Sequence, residues 1–184
     1  MSRNPSGLDP SFHVHIPEGD DRERRVCDHC GFVDYENPRI IVGSVAIWED
    51  RVLLCRRAIE PRRGYWTLPA GFMEKGESPA AGARREAWEE ARAHLETDQL
   101  LGVYSVAHIG HVQMIYRARL LSDAIAPGPE SQEVGLFRFD DLPGDLAFPS
   151  VTWALRHYLD TRDQTDFAPR SAPLANAEGE PPGL

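Results

Sequence analysis

Residues Leu68–Ala93, LPAGFMEKGESPAAGARREAWEEARA, decide how the rest of the chain is read. Pro69 to Glu77 is punctuated by Pro and Gly and reads as a loop. Ser78 stands at an N-cap position and Pro79 at the first helical position, where its missing N–H costs nothing. A run of Ala, Glu and Arg follows, all adequate or strong helix formers. Ala83, Ala87 and Ala91 repeat at four-residue spacing and form a narrow apolar stripe suited to close packing. Glu86, Glu89 and Glu90 are spaced i, i+3, i+4 and share one helix face. Like charges at that spacing cost roughly 0.2–0.5 kcal/mol per pair, and the macrodipole disfavours anions in the C-terminal half. Arg85 can pair with Glu89, but one Arg does not neutralise three Glu. A divalent cation would, because Mg²⁺ takes clustered oxygens and completes its octahedron with waters and phosphates. The alternative is an ordinary solvated charged face.

The spacing of the acids argues for the cation. Gly71, Glu77, Arg85, Glu86, Glu89 and Glu90 stand in the order Gly, five residues, Glu, seven residues, Arg-Glu, an apolar residue, any residue, Glu-Glu. At ~6% per residue type, chance gives these matches on the order of one time in 10⁵. The pattern resembles the Nudix box, the signature of Nudix hydrolases. The family usually has Gly two residues after the Glu-Glu pair, and Arg92 stands there in this chain. That departure bears on how the helix ends and not on the acids.

The chain has 184 residues, 41% hydrophobic and 27% charged, the make-up of one globular domain with a real core. The net charge of −9 makes a nucleic-acid backbone an unsuitable partner. No apolar stretch approaches ~20 residues, so no membrane span is expected. A polar N-terminus without an apolar signal core, and an odd count of three cysteines, point to a reducing, cytoplasmic setting. Nineteen of the 20 basic residues are Arg, a composition bias without functional content.

Three segments follow from local patterns: an N-terminal extension over 1–38, a main domain over 39–162 and a disordered tail over 163–184. In the extension, Cys27 and Cys30 form a CxxC pair followed by Gly31, the shape of one zinc knuckle. A structural zinc site needs four ligands, and only His13, His15 and His29 are at hand to complete it. Reduced thiols in a vestigial knuckle and a zinc site completed by those histidines or a second subunit are both open. Arg39–Trp48 and Arg51–Arg57 read as a β-hairpin around Glu49-Asp50, with Cys55 a core thiol. Arg56 and Arg57 point to opposite faces, so at most one lines a cleft and grips a phosphate. Trp66 is a candidate base-stacking ring or a packing ring. Leu100–Ala107 and Val112–Leu120 read as strands. An acidic loop, Glu130 to Glu133, then enters another strand, and a final helix runs over Val151–Leu159.

The resemblance covers roughly residues 26–160, and it extends the reading. It implies an α/β fold, an α/β/α sandwich with a mixed sheet, which periodicity alone does not establish. It implies Mg²⁺ or Mn²⁺ held by Glu86, Glu89 and Glu90 with a main-chain carbonyl near Ala70 or Gly71. Glu89 or Glu133 is then the base, with Glu130 the second choice outside the box, and Glu77 and Arg85 form an ion pair that orients the ligands. Residues 13–38 resemble the zinc-ribbon-like extension of one subgroup, in which a first CxxC pair, absent here, precedes a stretch like Ile16–Asp20. That subgroup implies hydrolysis of the diphosphate bond in FAD or ADP-ribose, NADH next, and damaged nucleoside triphosphates third. A Nudix-like module that binds a nucleotide and regulates a partner without turnover is the alternative class. A homodimer is the default expectation for such enzymes.

Overall fold

The structure, a computed structural model, describes residues 11–173 and divides into two compact units, one ending at Asn37 and the other starting at Pro38. The first unit is a three-stranded antiparallel sheet of β1 (Phe12–His15), β2 (Arg24–Cys27) and β3 (Val33–Asp34). Asp20 anchors its first turn. Its carboxylate accepts from the Asp21 and Arg22 N–H groups at 2.8 and 3.2 Å and from Arg24 Nε at 2.9 Å.

The second unit contains β4 (Arg39–Trp48), β5 (Arg51–Arg57), β6 (Trp66–Thr67), β7 (Ala70–Phe72), α1 (Pro79–Ala91), β8 (Leu95–Val106), β9 (His111–Leu120), β10 (Ser131–Arg138), α2 (Pro149–Thr161) and β11 (Arg170–Ser171). The sheet order is β10-β5-β4-β9-β8-β11, with β6 on β5 and β7 on β4. The β4–β9 and β8–β11 pairs are parallel and the rest antiparallel, so the sheet is mixed.

The β4–β5 hairpin opens almost at once. Its strands pair only at Ile47–Val52 and Trp48–Arg51. Beyond that, β7 takes the edge of β4 at Ile41 to Gly43, and β6 takes β5 at Cys55 and Arg56. Buried Leu68 and Pro69 connect the two short strands. Pro69 O accepts from Ser44 N–H at 3.2 Å, and a Cβ on Gly43 would lie 2.7 Å from that same oxygen. Glycine is required at 43 for this close approach.

Strand alternation sends the two sets of side chains to two helices. Val45, Ile47, Val52 and Leu54 pack with Tyr104, Val151, Ala154 and Leu155 beneath α2. Ala46, Leu53, Cys55, Ala118 and Leu120 pack with Ala87 and Ala91 of α1. The expected sandwich is present, with the alanine stripe of α1 turned to the sheet.

Several boundaries differ from the expectations. β8 starts at Leu95 and not Leu100, because register shifts between Thr97 and Gly102 break the alternation that marks a strand. β10 already runs through Ser131 to Glu133, where exposed Gln132 and Glu133 resemble a loop. The tail expected from 163 has contacts over its first residues. Arg117 Nη1 donates to Gln164 O at 2.8 Å, its guanidinium covers the Phe167 ring, and β11 pairs with Gly102 and Val103. Residues 174–184 of that expectation lie outside the described residues. Among the described residues no helix is long and apolar enough to cross a membrane.

α1 ends as a helix with C-terminal glycine would, although Arg92 occupies the position. Arg92 has φ 52° and ψ 23°, in the left-handed region. The Arg92 N–H reaches Trp88 O at 2.9 Å, the single 5→1 bond of an αL cap, and the Ala93 N–H reaches Ala87 O at 3.2 Å. The Arg92 guanidinium compensates in part, donating to Trp88 O and lying over the Trp88 ring. A non-glycine residue there costs about 1 kcal/mol. Arg92→Gly is therefore expected to raise Tm by about 2–4 °C in a thermal melt. A lower Tm would show that the guanidinium contacts outweigh the backbone strain.

Candidate active site

Ser78 caps α1, its Oγ accepting from Ala81 N–H at 3.2 Å, and the helix carries the box side chains from there. Arg85 is their hub. Its Nε and Nη2 bind the two Glu77 oxygens at 3.1 and 2.8 Å. Nη1 donates to Glu86 Oε1 at 2.7 Å and Glu89 Oε2 at 2.9 Å, and Nη2 to Phe72 O at 3.0 Å. The Glu77 carboxylate also accepts from Glu74 N–H at 2.8 Å. One guanidinium thus joins the loop, β7 and α1, with the bidentate geometry that favours Arg over Lys. These bonds hold the Glu77 carboxyl at about 2, well below the usual range.

Glu86 and Glu90 turn inward and are each 7% exposed. Glu90 accepts from Ala70 N–H at 3.2 Å. Burial, then the neighbouring Glu86 charge, push its carboxyl up to about 8. Burial also raises Glu86, against the pull of Arg85. A Cβ on Gly71 would lie 2.5 Å from either Glu86 oxygen, so glycine lets the β7 backbone face the carboxylate. Glu89 is half exposed at the rim. Among the described residues no three His, Cys, Asp or Glu side chains form a preformed ligand set, since Arg85 draws Glu86 and Glu89 while Glu90 turns to Ala70. The donor chemistry nonetheless fits a hard divalent cation: oxygen donors only, two of the carboxylates buried, and one guanidinium shared among three of the acids.

The other candidates divide by sheet face. Arg57 lies on the α1 side, where its charge steadies ionised Glu90. Its Nε donates to Pro61 O at 2.8 Å and its guanidinium covers Phe148. Arg56 is on the other face, bonded to Gly64 O and paired with Glu133 at 3.5 Å. Glu133 is thereby placed apart from the box acids. A bulge between Ser131 and Glu133 shifts the register, and Glu133 pairs with Arg56 on the face away from α1. Glu130 is the acid outside the box whose charge acts on Glu86 and Glu90. Of the two readings of Trp66, its position fits the packing ring: it is 7% exposed and packs edge-to-face on Phe137. The bulge and the Phe137 contact had no local signal.

In the first unit, Cys27 is buried and Cys30 exposed, both as free thiols. Cys27 pairs across the ladder with Phe12, which puts it on the face opposite His13 and His15. Those two rings stack at 4.4 Å, and His13 bonds Asp28. The histidines do not complete a four-ligand zinc site with the CxxC pair in this arrangement.

The two perturbed acids predict opposite pH effects. Glu77, depressed to about 2, supports the fold above its ordinary value of 4.5, and that support is lost as pH falls toward 2. Glu90, raised from 4.5 to about 8, supports the fold in its protonated form, and that support is lost as pH rises through 8. Denaturant unfolding of metal-free protein is expected to give lower stability at pH 8.5 than at pH 5.5, with the difference shrinking in Glu90→Gln. An unchanged difference in the variant would assign it to other groups.

Residues 37–160 match the family model described as NUDIX domain, and residues 11–36 match the model described as Nudix N-terminal. The crystal structure of a NUDIX hydrolase from Nitrosomonas europaea is 44% identical with a TM-score of 0.83, covering 90% of this chain and 95% of that one. A "MutT-like protein" of Streptomyces ambofaciens is 34% identical over 109 residues, 59% of this chain and 69% of that protein. An "ADP-ribose pyrophosphatase" of Methanocaldococcus jannaschii is 30% identical over 118 residues, 62% of this chain and 69% of that protein. With the box acids gathered on α1 and a mixed sheet between two helices, the chain belongs to the Nudix hydrolase family.

Proposed function

We propose that the protein hydrolyses the diphosphate bond of a nucleoside diphosphate linked to a second group, with ADP-ribose and FAD as the leading substrates. The observation that carries this reading is the buried pair Glu86 and Glu90, held beside the Gly71 backbone with Glu89 at the rim. Glu86, Glu89 and Glu90, with a main-chain carbonyl of Ala70 or Gly71, would hold Mg²⁺ or Mn²⁺. The bound cation supplies charge neutralisation at the diphosphate and acidifies a water nearby. Glu89 has the exposure to take the proton of the attacking water, and one of its oxygens is not engaged by Arg85. Arg85 and Glu77 keep the carboxylates in place. Arg57 faces the same side of the sheet and has the charge to meet a phosphate. The relative named ADP-ribose pyrophosphatase supports that substrate, while FAD rests on the resemblance of the box and its flanking segments.

The test is phosphate-detected hydrolysis of FAD, ADP-ribose, NADH, NAD, dinucleoside polyphosphates and dNTPs with Mg²⁺ or Mn²⁺. Cation-dependent cleavage of FAD or ADP-ribose is expected, with kcat falling about 10²-fold or more in Glu89→Gln. Arg85→Gln is expected to lose activity roughly 10–100-fold together with cation affinity, through misplaced carboxylates. Tight binding of a panel member without turnover would replace the reading with a regulatory binding module. Full rate and affinity in Arg85→Gln would remove its positioning role.

A further inference from the structure

Residues 126–130 form a strap against the C-terminal turn of α1. The Ala126 N–H donates to Ala91 O at 2.9 Å, and the Gly128 N–H to Glu90 O at 2.9 Å. The Ser131 N–H closes back on Gly128 O at 3.1 Å, and Glu130 O accepts from Ala58 N–H at 2.8 Å. The strap therefore spans from the helix end to the end of β5. The last carbonyls of a helix have no intrahelical donors, and here the strap supplies two.

Gly128 makes the approach feasible. A Cβ there would overlap the Glu89 carbonyl oxygen, lie 2.8 Å from its carbon and 3.2 Å from Glu90 Cα. These are backbone atoms in the middle of the box and cannot swing aside as a flexible side-chain end could. The φ angle at Gly128 is not in the left-handed region, so space and not conformation demands glycine. Two residues on, the strap delivers Glu130, whereas Glu133 pairs with Arg56 on the other face of the sheet.

We propose that Gly128 is a positioning residue: it seats the strap on the Glu89 and Glu90 backbone and so sets where Glu130 stands relative to Glu86 and Glu90. The proposal rests on the cation-site reading above. A side chain at 128 lifts the strap off the helix, and Glu130 moves with it. The influence of Glu130 on both buried acids agrees with its placement. No box side chain is altered by the substitution, so its effect runs through geometry.

The experiment is calorimetric Mn²⁺ titration of wild type, Gly128→Ala, Glu130→Gln and the double variant, with thermal melts to establish folding. Each single variant is expected to bind Mn²⁺ roughly tenfold more weakly. The double variant is expected to be no weaker than Glu130→Gln, because the first substitution acts through the second residue. Additive losses would overturn the proposal, as would wild-type affinity in folded Gly128→Ala. Should that variant fail to fold, Ala126→Pro removes one strap hydrogen bond without adding atoms at 128, and the same cycle is run with it. Wild-type protein that binds no Mn²⁺ would overturn the cation reading and this proposal together. An additive cycle would overturn this proposal alone.

Discussion

One guanidinium, that of Arg85, governs the geometry of the site. It is the shared partner of Glu77 from the loop, Phe72 O from β7, and Glu86 and Glu89 from its own helix. Without it, four acids would crowd one small volume. With it, Glu77 is tied down as a pure anion while Glu86 and Glu90 remain incompletely neutralised. That remainder is the useful part. Two carboxylates buried together against the β7 backbone store an unfavourable electrostatic arrangement, which a divalent cation would relieve. The strain is concentrated in Glu90, which is held by an amide N–H in place of a guanidinium.

The fold exists around this helix in a specific way. The hairpin of β4 and β5 splays, the Leu68–Pro69 segment fills the opening, and β7 emerges beside β4 with Gly71 against Glu86. Gly43, Gly71 and Gly128 serve three close approaches of backbone to backbone or carboxylate, and each would be blocked by one methyl group. The alanine stripe of α1 plays the same part on the sheet side, letting the helix settle on Ala46 and Cys55. Small residues thus bring the charged ones near enough to interact.

Much of this was legible in the chain. The helix, its cap and its acids follow from spacing and residue type, because a helix converts sequence distance into spatial distance by a fixed rule. The resemblance carried the sandwich. What was not legible depends on register. A single bulge at Gln132 puts Ser131 and Glu133 on opposite faces, and Glu130 is the acid outside the box whose charge acts on Glu86 and Glu90. Trp66 became core through Phe137, far along the chain. The strand pairing of Phe12 with Cys27 put His13 and His15 on the face opposite Cys27. β8 was foreshortened by its own irregularities, and β11 and its approach were hidden in a composition that resembles a loose tail.

The box is an electrostatically incomplete site, in which burial and the Glu86 charge favour the protonated form of Glu90. Isothermal titration of Mg²⁺ or Mn²⁺ at pH 7, in buffers of different ionisation enthalpy, counts the protons released on binding. With the Glu90 carboxyl near about 8 in the free protein, close to one proton is expected to leave per site, falling toward zero in Glu90→Gln. Cation binding without proton release in the wild type would show that Glu90 is already ionised in the free protein.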